Sequence, residues 1–333
     1  MTGASMNDSL QIYPVRELHS LTVFSNGINF DLTFIEEAVF LLMRDKQGDN
    51  LYRDFCDEKE RIYQQDISNE ERDKAFKLLY EKYFCRLGLE DFFKNICKDF
   101  SHLHKPEIRV VVKRVWNKKH EEAELYVQPS ASPRGEPHQK TVYLGILVRR
   151  VLDLAFLESF LRHELTRISD MLSFDFQYSP HPVLGGKNGI EDNLIRERFR
   201  LLWDFYIDAR LRGKGFKTNK SYEEQKKEFE RKFFFLTPLE REQILTKIRG
   251  CEGLMQIDLL SWAGDPRSVK ILGEGGLRCP LCDFTSYDSV KNWTIEAVSI
   301  ADRVKNDYPD WDPSQGICPQ CFDIYGGKFS AKP

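Results

Sequence analysis

Residues 151–172 read VLDLAFLESFLRHELTRISDML, an apolar stretch whose periodicity predicts a helix. Within it His163, Arg167 and Asp170 fall at i, i+4 and i+7, on one face of that helix, where polar groups left unpaired in apolar surroundings are costly. Three strand-like segments precede it: 108–116 (IRVVVKRVW), 123–127 and 141–148 (TVYLGILV), the last two separated by the Pro- and Ser-rich PSASPRGEPHQK. Short connections make neighbouring strands pair, so a small, mainly antiparallel sheet is expected beneath the helix. A second helix is predicted over 191–212 (EDNLIRERFRLLWDFYIDARLR), stopped by Gly213 and Gly215. It places Glu197, Asp204 and Asp208 on one face among apolar neighbours, again as charges that need partners. Residues 106–262 therefore form an α+β core.

Outward from that core, 1–105 reads as a mostly helical region with an early strand or hairpin. Residues 10–30 are rich in β-branched and aromatic side chains broken at Asn26-Gly27, and a helix follows from Asp31. Ser68 and Glu71 stand in capping-box spacing before another helix. On the other side, the glycine run at 273–276 marks a boundary before a cysteine-paired region over 275–326.

That region carries Cys279-Pro-Leu-Cys282 and Cys318-Pro-Gln-Cys321. Two tight CxxC turns can aim four thiolates at one ion, the closed tetrahedral set that structural Zn²⁺ takes. Redox-active thiols would want a thioredoxin-like βαβ context, which is absent; an iron–sulfur cluster stays open as a second use of four thiolates. The interval from Cys282 to Cys318 is long for a four-cysteine pattern, so it needs structure of its own. Residues 290–304 supply helical periodicity, and Tyr308-Pro-Asp-Trp311 can lay aromatics against the knuckles. The module resembles a zinc ribbon with a helical insert. Cys56, Cys85, Cys97 and Cys251 read as isolated small hydrophobes.

With its strands, its HE-containing helix and its second acidic helix, the stretch 106–212 resembles a zincin-type metallopeptidase of the gluzincin kind, known by HExxH. The resemblance implies a zinc held by His163 and by Asp204 from the second helix, Asp208 orienting the ligands and Glu164 polarising water. The sequence departs at the second histidine, where Arg167 stands; a guanidinium has no lone pair and repels a cation. Two arrangements are open. In one, His163, Asp204 and Asp170 still bind a second zinc, Glu164 and Arg167 being catalytic, the arginine swung away or clamping an oxyanion. In the other, Arg167 takes the metal's place and pairs with Asp204, Asp208 or Glu164. The second avoids setting a cation beside a dication and implies a degenerate, inactive homologue. A plain Glu164–Arg167 surface pair at i, i+3 is the simplest alternative.

Of 333 residues, 49 are basic and 52 acidic, so the chain lacks the broad positive field of a dedicated nucleic-acid binder. Any such surface is local, the best stretch being 210–220 (RLRGKGFKTNK), five basic residues and no acid. It reads first as a solvated helix end and loop, supports an alternative role as a nucleic-acid-associated or adaptor zinc-ribbon protein, and leaves a peptide or protein partner open. No stretch approaches the ~20 apolar residues of a membrane span, and the start MTGASMNDSLQIYP has no leader pattern, which gives the expectation of a cytoplasmic protein. His181, in SPHPVLGG, and the pair His102 and His104 are weaker candidates. Phosphate-binding glycine loops and the GxSxG elbow are absent, which removes the nucleotide-binding and α/β-hydrolase classes. Oligomeric state is not encoded in any of these features.

Overall fold

The computed structural model describes residues 21–326 apart from 24–26, 129–138, 187, 273–276, 283–284, 287–289, 291–292 and 294. Residues 10–20 of the expected early strand, most of the Pro- and Ser-rich loop and the glycine run at 273–276 lie outside the described residues. The chain divides into two compact units. The first joins Met1–Val183, Trp203–Glu228 and Glu252–Ile257; the second joins Leu184–Leu202, Phe229–Cys251 and the residues from Asp258 onward.

The first unit is built on a five-stranded sheet. Strands β1 (Leu21–Val23) and β2 (Ile28–Asp31) precede four helices, α1 (Leu32–Asp45), α2 (Asn50–Gln64), α3 (Asn69–Arg86) and α4 (Leu89–Lys98). Strands β3 (Ile108–Val115), β4 (Ala123–Gln128) and β5 (Gln139–Leu147) then lead into α5 (Leu154–Leu172). Local chemistry sets the helix starts: the Asp31 side chain accepts the Thr33 N–H, and Ser68 and Glu71 close the reciprocal capping box.

The sheet order is β1-β2-β3-β5-β4, and the sheet is mixed rather than mainly antiparallel. β2 pairs with β3, and β3 with β5, in parallel; only the β1–β2 and β4–β5 pairs are antiparallel. Sequence order suggested that β3 would pair with β4. Instead the more apolar β5, with Val142, Leu144 and Ile146 buried, takes the position beside β3. The shorter and wetter β4 takes the edge, where Glu124 meets solvent. Gly145 permits this arrangement: a Cβ there would come within 2.5 Å of the His120 carbonyl oxygen, in the turn between β3 and β4.

Helices and sheet share one core. Phe30 on β2 meets Phe84 of α3 and Phe93 of α4 edge-on, with centroids 5.0 and 5.2 Å apart. Leu157, Leu161, Leu165 and Ile168 bring a buried stripe of α5 into the same cluster. The opposite side of α5 faces α6 (Gly189–Gly213), whose buried Trp203 donates through Nε1 to Asp170 at 2.8 Å. Beyond α6 come α7 (Tyr222–Lys232), α8 (Pro238–Gly250) and α9 (Gln256–Gly264).

In the second unit, Thr237 and Glu240 form a capping box that opens α8, and Arg198 stacks over Phe235 with Cζ 4.5 Å from the ring centroid. The cysteine-paired region contributes the hairpin β6 (Leu277–Arg278) and β7 (Thr285–Ser286), then α10 (Ile295–Asp307) and α11 (Pro319–Tyr325). Among the described residues no helix is long and apolar enough to cross a membrane.

The aromatic seam predicts a sharp contrast in mutational cost. Phe30 is fully buried, so Phe30→Ala lowers unfolding free energy by ~3–5 kcal/mol. Phe174, 89% exposed, changes it by less than ~0.5 kcal/mol when replaced by alanine. Urea titrations of the two variants check both values.

Candidate functional site

The polar face of α5 meets α6 in a network of charge-assisted hydrogen bonds. Helical spacing brings His163, Glu164 and Arg167 together, and Asp204 and Asp208 reach them from consecutive turns of α6. Arg167 is the centre. Its Nη1 donates to Glu164 Oε2 at 2.8 Å, and its Nη2 donates to Asp204 Oδ1 at 2.7 Å while lying 3.1 Å from His163 Nε2. The other ring nitrogen, Nδ1, lies 2.7 Å from Asp208 Oδ1. Glu164 is further fixed by the Ala123 N–H of edge strand β4, at 3.1 Å.

A second layer holds Asp208. Gln225 of α7 donates to its Oδ2 at 2.6 Å and in turn accepts from Arg212, whose guanidinium stands 3.8 Å from the same carboxylate. Neither Gln225 nor the Ala123 amide was evident in the sequence. Gln225 lies in the polar run YEEQKKEFERK, which has no feature to separate it from a solvated helix face. A backbone donor leaves no sequence signal at all.

Burial works against every charge here, and pairing opposes it. For Asp204 the guanidinium of Arg167 and then His163 outweigh burial and hold the carboxyl down at about 2. For His163, burial and the charge of Arg167 disfavour the imidazolium, while Asp204 and Asp208 pull toward it. The contacts at Nε2 point the other way. Asp204 Oδ1 is 3.5 Å from Nε2, whereas the Arg167 donor is nearer, at 3.1 Å, and two donors cannot share that gap. We assign the neutral ring, with Nδ1–H donating to Asp208 and Nε2 accepting from Arg167, because it alone satisfies all these contacts.

The remaining sequence candidates are placed elsewhere. Asp170, one turn further along α5, accepts from Trp203 and from Arg210 at 2.5 and 2.8 Å, and is not brought to His163. His102 contacts Ser169 at 3.0 Å, His104 faces the Lys98 carbonyl, and His181 is exposed. Within the basic segment, Arg210 pairs with Asp170, Arg212 lies beside Asp208 and Lys220 meets Glu228, which leaves Lys214 and Lys217 exposed.

A separate centre lies in the second unit. Cys279 and Cys282 stand at the turn after β6; Cys318 caps α11, and Cys321 lies in its first turn. The second pair therefore opens a helix rather than sitting at a hairpin turn. Cys279 and Cys321 Sγ are 3.9 Å apart, and Cys282 and Cys318 Sγ 3.8 Å. A tetrahedron with Zn–S bonds of ~2.3 Å has edges of ~3.8 Å, so the donor set fits that ion. Among the described residues this is the one group of three or more His, Cys, Asp or Glu side chains spaced to hold a metal. His163, Asp204 and Asp208 do not make another, since the two aspartates address opposite nitrogens of the ring.

Among these thiols Cys279 is arranged for ionisation. Burial opposes a thiolate at Cys279, but N–H donors of Cys318, Cys282 and Leu281 bring its pKa down to about 6. Burial and the neighbouring cysteines push Cys321 and Cys318 up, as expected of crowded thiols without a cation. The Cys318 N–H lies 3.4 Å from Cys279 Sγ, and the Cys321 N–H 3.4 Å from Cys318 Sγ. Tyr308 donates to the Leu281 carbonyl at 3.3 Å, and Trp293 packs edge-on against buried Trp311, so the aromatics do brace the knuckles. The four-cysteine cluster is compatible with zinc binding.

Comparison with known proteins returns no matching family model, no matching curated protein and no matching solved structure.

Two expectations test these centres. In the intact protein His163 carries its single proton on Nδ1 at pH 7.5, and Arg167→Gln, by removing the opposing charge, raises its pKa so that the ring takes a second proton. In that variant, stability from the second proton is complete below the ordinary pKa of 6.5 and is lost as pH rises through the raised folded value. Nitrogen-15 NMR of the histidine rings reads both forms. For the cysteine centre, native mass spectrometry of the full chain finds one zinc, removed by a chelator with loss of the α11 helical signal.

Proposed function

We propose that this chain is a zincin-like protein whose catalytic metal position is taken by an arginine, leaving a non-hydrolysing core beside a structural four-thiolate zinc module. The observation that carries the reading is the position of the Arg167 guanidinium. It lies between His163 Nε2 and Asp204 Oδ1, two of the atoms that a hydrolytic zinc would engage, and it neutralises Glu164, the group that would polarise water. A carboxylate committed to a guanidinium and a backbone amide is a poor general base.

Further support comes from the setting. The HE-containing helix follows the sheet directly, antiparallel edge strand β4 adjoins it through the Ala123–Glu164 bond, and acidic α6 faces it. Such a core retains a surface for a peptide or protein partner while lacking the means to cleave it. The four thiolates leave no open coordination position, so the zinc there supports folding rather than chemistry.

Metal content decides. Wild type binds about one zinc per chain, and Arg167→His, which sets two imidazoles one turn apart opposite Asp204, raises this to about two. Wild type already holding two would favour an active, altered-ligand enzyme instead. Arg167→Ala exposes the complementary cost: removing the cation leaves Asp204 and Glu164 unpaired and lowers stability by ~3–5 kcal/mol in denaturant unfolding. A loss below ~0.5 kcal/mol would make the arginine an ordinary surface residue and remove the basis of the reading.

A further inference from the structure

Strands β2, β3 and β5 run parallel, so their C-terminal ends gather at one end of the sheet of the first unit. Trp116 stands there, one residue past β3 and 76% exposed. Its ring is already organised. The Arg114 guanidinium stacks on it with Cζ 3.8 Å from the ring centroid, and Glu37 of α1 fixes that guanidinium at 2.8 Å.

Positive charge surrounds the ring. Asn117 Oδ1 accepts the Lys119 N–H at 2.9 Å and sets the short turn that displays Lys118, Lys119 and His120. Val115 pairs in register with Leu147, which brings exposed Arg149, two residues further on, to the same end. Of the nearby acids, Glu37 is committed to Arg114 and Glu121 to Arg150, Glu122 acts on Arg167, and Glu36 lies within electrostatic reach of Arg114. Lys118, Lys119 and Arg149 have no acidic partner among the described residues.

We propose that Trp116, held flat by Arg114 and flanked by Lys118, Lys119 and Arg149, is a binding site for single-stranded nucleic acid. An unpaired base stacks on the open face of the indole, and the adjoining phosphates meet the three cations. A duplex hides its base faces and lacks this fit. An anionic membrane fits poorly as well, because sinking the indole among acyl chains would carry the Arg114–Glu37 ion pair with it. The site does not depend on what occupies the centre between α5 and α6.

Tryptophan fluorescence of the full chain provides the test, since Trp203, Trp262 and Trp311 are buried and Trp293 is half-buried. The probes are a ten-residue oligothymidylate, the same length of duplex, heparin and phosphatidylserine vesicles. The oligothymidylate is expected to quench emission, with affinity falling as salt rises at a log–log slope of about −2 for three phosphate contacts. Trp116→Ala should weaken binding about tenfold, measured by anisotropy of a labelled oligonucleotide. The triple variant Lys118→Glu, Lys119→Glu, Arg149→Glu should abolish the salt dependence, and the double variant Lys214→Glu, Lys217→Glu should bind like wild type. Unchanged affinity in Trp116→Ala would overturn the proposal, as would duplex or heparin binding as tightly as the single strand. Vesicle binding with a blue-shifted emission in preference to the oligonucleotide would overturn it in favour of a membrane surface.

Discussion

A guanidinium held between two helices organises the polar half of the first unit. Arg167 is the one cation shared by Glu164 and Asp204, and its contact with Nε2 sets the proton of His163 toward Asp208. Burying several carboxylates at a helix interface is expensive unless opposite charge and hydrogen bonds accompany them. Here one planar fork meets that need with directional bonds, which a lysine in the same place would satisfy less fully. Through Glu164 the network also reaches the backbone of β4, so it ties both helices to the edge of the sheet.

What the sequence disclosed about this arrangement follows from periodicity. Positions i, i+4 and i+7 on α5, and i and i+4 on α6, are fixed by helix geometry, so the meeting of Arg167 with Glu164 and Asp204 was legible as one of two arrangements. The pairing of Asp170 was not. Helix spacing puts it on the right face, but whether it turns to His163 or to α6 depends on where Trp203 and Arg210 arrive, which is tertiary information. Strand order failed to follow from the chain for a related reason: neighbouring strands pair by default, and only the relative burial of β4 and β5 reverses it here. The basic run over 210–220 looked like a patch because linear charge counts ignore partners supplied by other segments, and Asp170, Asp208 and Glu228 supply them.

Positive charge in this chain thus does two unlike jobs. At Arg167, Arg150 and Arg210 it is turned inward and matched to carboxylates, where it holds the fold. Beside Trp116, Lys118, Lys119 and Arg149 are turned outward with no acidic partner among the described residues. The distinction is invisible in a net charge near zero, yet it separates residues that tolerate replacement by lysine from those that do not.

The double use of Cys318 has a consequence in time. Its sulfur is both a member of the four-thiol set and the N-cap of α11, so the second half of that set and the start of the helix are made together, late in synthesis. The first knuckle leaves the ribosome before the second by the whole interval from Cys282 to Cys318, which at ordinary rates of synthesis is roughly two to seven seconds. For that period the first two thiols have no second pair to complete the four-thiol set. A nascent chain in that state is open to oxidants and to competing soft metals, and the interval between the knuckles sets how long.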